Sequence, residues 1–214
     1  MVIKLYGVSQ SRATVRAATI LVEKDVPFEF ISVDFSHKEH KSPEYLKKQP
    51  FGQVPYLNDD GFILYESRAI GRYIAEKYAD QGPALIPTEL KAKAIFEQAA
   101  SSELANFNPY ASQIWKEVVR PRKLGQEPNL TAFSKLDIEL SAKLDVYDDI
   151  LSKQRYLSGN EISLVDLFHL PFGSGLPLAG SELLDKKPNV ARWWKDISSR
   201  PSWIAVKDGV KSTA

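Results

Sequence analysis

The chain contains no cysteine, which excludes disulfides, thiolate metal sites and any protein thiol as a nucleophile. Any sulfur chemistry must therefore be brought by a ligand. Histidine is scarce as well, with three residues, and neither a His-x-x-x-His spacing nor a carboxylate cluster accompanies His169, so no metal site is expected. No excess of one charge exists: 28 Lys and Arg against 27 Asp and Glu leave a formal charge of +1, without the basic footprint that nucleic acid requires. Apolar runs such as Ala17 to Val22 are far too short to span a bilayer, and the N-terminus enters Met1-Val2-Ile3-Lys4-Leu5-Tyr6 without a signal-peptide layout. The expectation is a cytoplasmic protein with neither membrane nor nucleic acid as partner.

What is present is an ordinary globular composition, 43% hydrophobic and 26% charged over 214 residues, a length that allows one or two small domains. The first eighty residues alternate short β-type runs with helical patterns. Val2 to Tyr6 and Phe28 to Asp34 read as strands around a helix at Ala13 to Glu23. Val54 to Leu57 and Phe62 to Tyr65 form a hairpin through Asn58-Asp59-Asp60-Gly61, and Ser67 to Tyr78 is a closing helix. The order is βαβ then ββα. Beyond a breaker-rich linker at 81–89, everything reads as helix: a pattern from Ile95 that stops near Arg120-Pro121, a stripe of Phe133, Leu136, Leu140, Leu144, Tyr147 and Leu151, and a last helix near Val190 to Ser199. Ser163 and Asp166 have capping-box spacing, with Ile162 and Leu167 as the matching staple.

The most informative stretch is Gln49-Pro50-Phe51-Gly52-Gln53-Val54-Pro55-Tyr56-Leu57, followed after the hairpin turn by Glu66-Ser67-Arg68-Ala69-Ile70. A Val-Pro bond, a hairpin and an acidic-Ser pair opening a helix make a frame for holding a small peptide. Together with the strand order and the later capping box, these phrases make the chain similar to soluble glutathione transferases over nearly its whole length. Glu66 to Ile70, Glu39-His40-Lys41 and Ser11-x-x-Thr14 most resemble the phi, or serine-type, class. The resemblance implies a thioredoxin-like glutathione-binding domain at 1–80 and an all-helical domain at 90–214. It implies glutathione as co-substrate, no prosthetic group, and conjugation to hydrophobic electrophiles, with glutathione-dependent peroxide reduction as a further capability. It further implies a homodimer, with Phe51 as a knob and Arg68, Arg72 and Glu76 on the interface-facing helix.

Residue by residue, the resemblance assigns the thiolate to Ser11, before the first helix, where a hydroxyl and a helix N-terminus can address one sulfur anion. Ser9, Thr14 and Tyr6 remain alternatives. A cis Val54-Pro55 bond would leave the backbone of Val54 free to pair with the cysteinyl unit as an added strand. Ser67, as a helix cap, suits the γ-glutamyl carboxylate, and Glu66 the α-ammonium. His40 and Lys41, from a run of four basic side chains at 37–41, suit the glycyl carboxylate, with Gln53 as a further polar contact. The electrophile pocket is expected to be apolar and shared between the domains, walled by Phe35, Phe107, Tyr110, Ile114, Trp115 and Val118. Lacking cysteine, the chain is not expected to remove glutathione from substrates. A reading from a different class is a non-catalytic carrier of hydrophobic ligands, or a dimerisation module, on the same fold.

Overall fold

The computed structural model describes residues 2–214; Met1, which opens the N-terminal run read above, lies outside them. The chain divides into two compact units, one of residues up to Ile86 together with Arg200–Ala214, the other of Pro87–Ser199. The expected helical domain at 90–214 thus loses its last segment, which packs with the first unit.

The first unit runs β1 (Ile3–Gly7), α1 (Arg12–Glu23), β2 (Phe28–Ser32), α2 (Pro43–Leu46), β3 (Tyr56–Asp59), β4 (Phe62–Tyr65) and α3 (Ser67–Lys77). Its four strands lie in the order β2-β1-β3-β4. β1 and β2 pair in parallel and the other neighbours antiparallel, so α1 serves as the crossover that parallel pairing demands. Alternation sorts the faces of β1: Ile3 and Leu5 are buried on the side that carries α1, while Lys4 is exposed. On the opposite face Tyr6 stacks on Tyr56 at 4.4 Å and Tyr45 of α2 meets Tyr56 edge-on. The hairpin turn closes as its composition predicts, with the Gly61 N–H donating to Asn58 Oδ1 at 2.8 Å.

The closing segment α12 (Pro201–Val206) packs on α1. There the buried Glu23 carboxylate takes the Arg200 guanidinium through both oxygens, at 3.0 and 3.1 Å from Nε, and also the Ser202 hydroxyl. Beyond α12 the tail runs beside β2: the Thr213 N–H donates to Phe28 O at 2.9 Å, Thr213 Oγ1 accepts the Phe28 N–H at 3.1 Å, and Ser212 Oγ accepts the Phe30 N–H at 2.9 Å. An edge strand is thereby covered by the chain's own last residues.

In the second unit the helical path from Leu90 to Lys123 is continuous: α4 (Leu90–Ser102), a π-turn at Glu103–Phe107, α5 (Asn108–Ile114), a π-turn at Trp115–Val119, and α6 (Arg120–Lys123). The sequence reading stopped this helix at Arg120-Pro121. It continues because each widened turn ends two residues before a proline, Pro109 and Pro121, at the place where the ring would strike the carbonyl four residues back. Deprived of the proline's missing N–H, the carbonyl of Glu117 accepts instead from the Asn129 N–H at 2.9 Å. Asn129 also caps α7 (Leu130–Lys153) through Ala132 N at 3.1 Å.

Along α7, Leu140, Leu144, Tyr147 and Leu151 are buried, as the stripe predicted. α8 (Leu164–Gly173), α9 (Leu176–Ala179), α10 (Leu183–Lys186) and α11 (Pro188–Ser198) follow. The capping box at α8 carries more than a cap. Asp166, fully buried, accepts the Ser163 N–H at 2.9 Å, the Ser163 hydroxyl at 3.0 Å, the Leu157 N–H at 3.1 Å and the Trp193 indole N–H at 2.9 Å. Among the described residues no helix is long and apolar enough to cross a membrane.

Candidate active site

Strand register brings four connections to one end of the sheet. Gly7 pairs with Ser32 across β1 and β2, Tyr6 with Tyr56, and Tyr56 with Tyr65. Segments 8–11, 33–41, 53–55 and 66–67 therefore all leave the sheet at that end, and they contain Ser11, Phe35, His40, Lys41, Gln53, Val54, Pro55, Glu66 and Ser67. The N-termini of α1 and α3 lie there too, each adding partial positive charge from unsatisfied N–H groups.

Ser11 is the N-cap of α1, held by its N–H to Val8 O at 2.9 Å and its C=O to Val15 N at 2.8 Å, yet its hydroxyl makes no capping bond. That hydroxyl remains half-buried and uncommitted. The alternatives are placed differently. Ser9 donates to Val210 O at 3.0 Å, Tyr6 is stacked in the tyrosine cluster on the far face, and Thr14 is fully buried. Thr14 lies so close to the end of β1 that a Cβ on Gly7 would stand 2.6 Å from its Oγ1; only glycine lets α1 start there.

The Val54-Pro55 bond is cis, as expected. No described residue hydrogen-bonds the N–H or C=O of Val54, while its neighbour Gln53 is tied at both ends: its N–H reaches Gln49 Oε1 at 3.2 Å and its C=O accepts from Tyr45 at 2.6 Å. The Gln53 side chain stays exposed.

Glu66 adopts φ 69°, a sparsely populated conformation for a non-glycine residue. The structure makes Glu66, not Ser67, the N-cap of α3, and the Glu66 carboxylate makes no capping hydrogen bond. Ser67 is the first helical residue, buried, and its Oγ accepts from Arg16 Nη1 at 3.0 Å.

The four basic side chains of 37–41 diverge. His37 turns to Asp34 at 2.6 Å; the Asp34 hydrogen bond raises its pKa, and hydrogen bonds from Ser36 and His37 hold Asp34 well below the usual carboxylate range. Lys38 is exposed in a left-handed conformation, φ 55°. His40 lies parallel on the Phe35 ring at 3.8 Å. Lys41 Nζ donates to Phe51 O at 3.1 Å and Gly52 O at 2.9 Å, which leaves the third ammonium proton for a ligand.

The residues read as walls of an electrophile pocket are divided between the two units. Phe35 is exposed on the first unit with one face taken by His40. Phe107, Ile114 and Val118, at 1%, 0% and 0% exposure, are buried in the second unit. Helical spacing alone does not separate a core stripe from a pocket lining, because both follow it. Tyr110 is half-buried, and Trp115 packs on Gly175 beneath Lys123, whose Nζ is 5.2 Å from the ring centroid.

Sequence reasoning missed Arg16, Tyr45 and Gln49. Arg16 carried a signal, a lone charge in the middle of the apolar helix Ala13 to Glu23. Gln49 and Tyr45 carried none, since their work is to hydrogen-bond backbone groups across a loop.

Comparison with known proteins bears on the family and the fold. The glutathione S-transferase N-terminal domain model matches residues 1–76 and the C-terminal domain model residues 107–201. Glutathione S-transferase hmp2 of Hypomyces subiculosus is 46% identical over 208 residues, covering 95% of this chain and 97% of its own. Glutathione S-transferase F12 of Arabidopsis thaliana is 38% identical, covering 95% and 96%. Among solved structures, glutathione transferase F2 of Populus trichocarpa superposes with a TM-score of 0.90 at 38% identity, covering 96% and 97%. Glutathione S-transferase I from maize, in complex with an atrazine glutathione conjugate, superposes at 0.88 with 33% identity, covering 97% of each chain. The chain thus belongs to the glutathione S-transferase family, where it is a phi-class enzyme with glutathione as co-substrate.

Proposed function

We propose that Ser11 is the thiolate-stabilising residue and that the end of the sheet holds glutathione in one orientation. The observation that carries this is the uncommitted Ser11 hydroxyl at the start of α1, where the neighbouring hydroxyls are already engaged or buried. In this reading the cysteinyl unit adds as a strand to the open backbone of Val54 beside Pro55. Glu66 meets the α-ammonium and Ser67 the γ-glutamyl carboxylate. His40, Lys41 and Gln53 meet the glycyl end, with Phe35 buttressing the His40 ring.

The gain from the serine is bounded. A free thiol with pKa near 8.5 is about 3% ionised at pH 7. Lowering it by about two units, roughly 2.7 kcal/mol of preferential thiolate binding, brings that fraction to about three quarters. Nucleophilicity falls about eightfold at the same time if the slope for disulfide exchange applies, so the net gain is about threefold. Holding the electrophile beside the sulfur must supply the rest. The maize relative, in complex with an atrazine glutathione conjugate, supports hydrophobic electrophiles as the substrate class. Organic hydroperoxides fit the same thiolate, two glutathiones being oxidised to the disulfide as the hydroperoxide becomes alcohol and water. A cytoplasmic location fits this chemistry, because the glutathione pool there is kept reduced.

A homodimer completes the proposal. Phe51 is 63% exposed on the first unit, held edge-on to Tyr65. The second unit carries a cavity of about 300 Å³ lined by Ile95, Gln98, Ala99, Ser102, Tyr147 and Ile150. The Phe51 ring of a second copy suits it, and Phe51→Ser should shift the species seen by light scattering towards monomer.

The deciding experiment is a pH titration of the ultraviolet thiolate absorbance of bound glutathione in the native protein and in Ser11→Ala. A depressed pKa that returns towards the free value in Ser11→Ala supports the assignment. Glutathione bound with an unchanged pKa in the native protein would make the chain a carrier rather than a serine-type transferase.

A further inference from the structure

We infer that Arg16 is a positioning residue for the γ-glutamyl carboxylate, acting through Ser67; the inference rests on the assignment of Ser67 to that carboxylate. Arg16 lies on the face of α1 that packs on α3 and is 2% exposed. A guanidinium is costly to bury unless its donors are satisfied, and one of them, Nη1, is given to Ser67 Oγ at 3.0 Å.

The direction of that bond fixes what Ser67 can do. Arginine has donors and no acceptor, so the serine oxygen must accept from it. The hydroxyl's own proton is then left to donate elsewhere, and a carboxylate is an acceptor-only partner. An unassisted serine could rotate and offer a lone pair to the ligand instead. Arg16 thus converts an ambivalent hydroxyl into a committed donor at the first residue of α3, and its buried charge adds to the positive end of that helix. The same contact read as a mere tie between α1 and α3 makes a different prediction, because a tie is indifferent to the ligand's carboxylate.

The test compares glutathione with 4-aminobutyryl-cysteinyl-glycine, which keeps the amine and thiol but lacks the α-carboxylate, in native enzyme, Arg16→Met, Arg16→Gln and Ser67→Ala. The readout is the ratio of kcat/KM for the two thiols. Arg16→Met should lower that ratio by at least about tenfold, the scale of one hydrogen bond to a charged group, through KM for glutathione with kcat held. Arg16→Gln, whose amide oxygen can take the Ser67 proton and reverse the bond, should lower it as well, and decides the matter if Arg16→Met does not fold. Equal losses with both thiols would overturn the inference and leave Arg16 as a structural tie. An unchanged ratio in Ser67→Ala would instead remove the assignment of Ser67, a distinct outcome from a ratio that falls in Ser67→Ala but not in the Arg16 variants.

Discussion

Arg200 grips Glu23 through both carboxylate oxygens, with Nε 3.0 and 3.1 Å away, and the carboxylate side chain is only 5% exposed. The pair fastens the first residues after the second unit to the end of α1. Removing the arginine strands the buried carboxylate, so Arg200→Leu should cost about 3–5 kcal/mol. At about 2–4 °C per kcal/mol for a chain of this size, thermal unfolding should fall by ~6–20 °C. Replacing both residues with apolar ones of similar volume should recover much of that loss, and calorimetry on the single and double variants measures it.

Asp166 is the second such point. Its two oxygens take two donors each: Leu157 N and Trp193 Nε1 on one, Ser163 N and Oγ on the other. Whichever way an amide is placed in Asp166→Asn, its NH2 group faces at least one N–H that can only donate: Ser163 N on one side, Leu157 N and Trp193 Nε1 on the other. About 3 kcal/mol or more should be lost, with denaturant unfolding followed by tryptophan fluorescence as the check.

How far the sequence carried the reader depends on what each residue bonds to. The strand order, the hairpin turn, the cis Val54-Pro55 bond and the cap at Ser163 rest on local patterns, and all are found. Pro121 misled, because a π-turn lets the helix pass it and Asn129 relieves the orphaned carbonyl of Glu117, a partner twelve residues on. Periodicity gives Ile114 and Val118 equally to core and pocket, and both are buried in the second unit. The hold of Arg200 on Glu23 spans 177 positions, beyond any window of local reading.

Gly52 lies against Lys41 and His40, the two residues proposed above for the glycyl carboxylate. At φ 59°, a Cβ there would stand 2.6 Å from Lys41 Nζ and 2.7 Å from the His40 carbonyl oxygen. Gly52→Ala should therefore cost ~1–3 kcal/mol and raise KM for glutathione several-fold by displacing Lys41, while KM for the electrophile holds. Steady-state kinetics with each substrate varied in turn separates the two.

The cap of α11 brings a pH dependence. Asp148 Oδ1 accepts the Asn189 N–H at 2.8 Å and the Val190 N–H at 3.1 Å, and Oδ2 accepts the Asn189 amide at 3.1 Å. Burial alone would raise its pKa, but these donors outweigh burial and hold it below the usual range. A carboxylate depressed on folding stabilises above its unfolded pKa, near 3.9, and that stabilisation fades as pH falls through the folded value. Asp148→Ala should cost ~1–2 kcal/mol at pH 7. The gap to the native protein should narrow below about pH 4, as denaturant titrations across that range would reveal.

The strap formed by Val210, Ser212 and Thr213 bonds to Ser9, Phe28 and Phe30, residues translated 201, 185 and 182 positions before their partners. A ribosome releases Phe28 long before Thr213, with the entire second unit synthesised in between. The nascent first unit must wait with the outer edge of β2 bare and the loop before Ser11 untied. The first unit is thus completed only after the second has been synthesised, and a chain stalled at Ser199 would lack both the cover over β2 and the tie that holds the loop before Ser11, the serine proposed above for the thiolate.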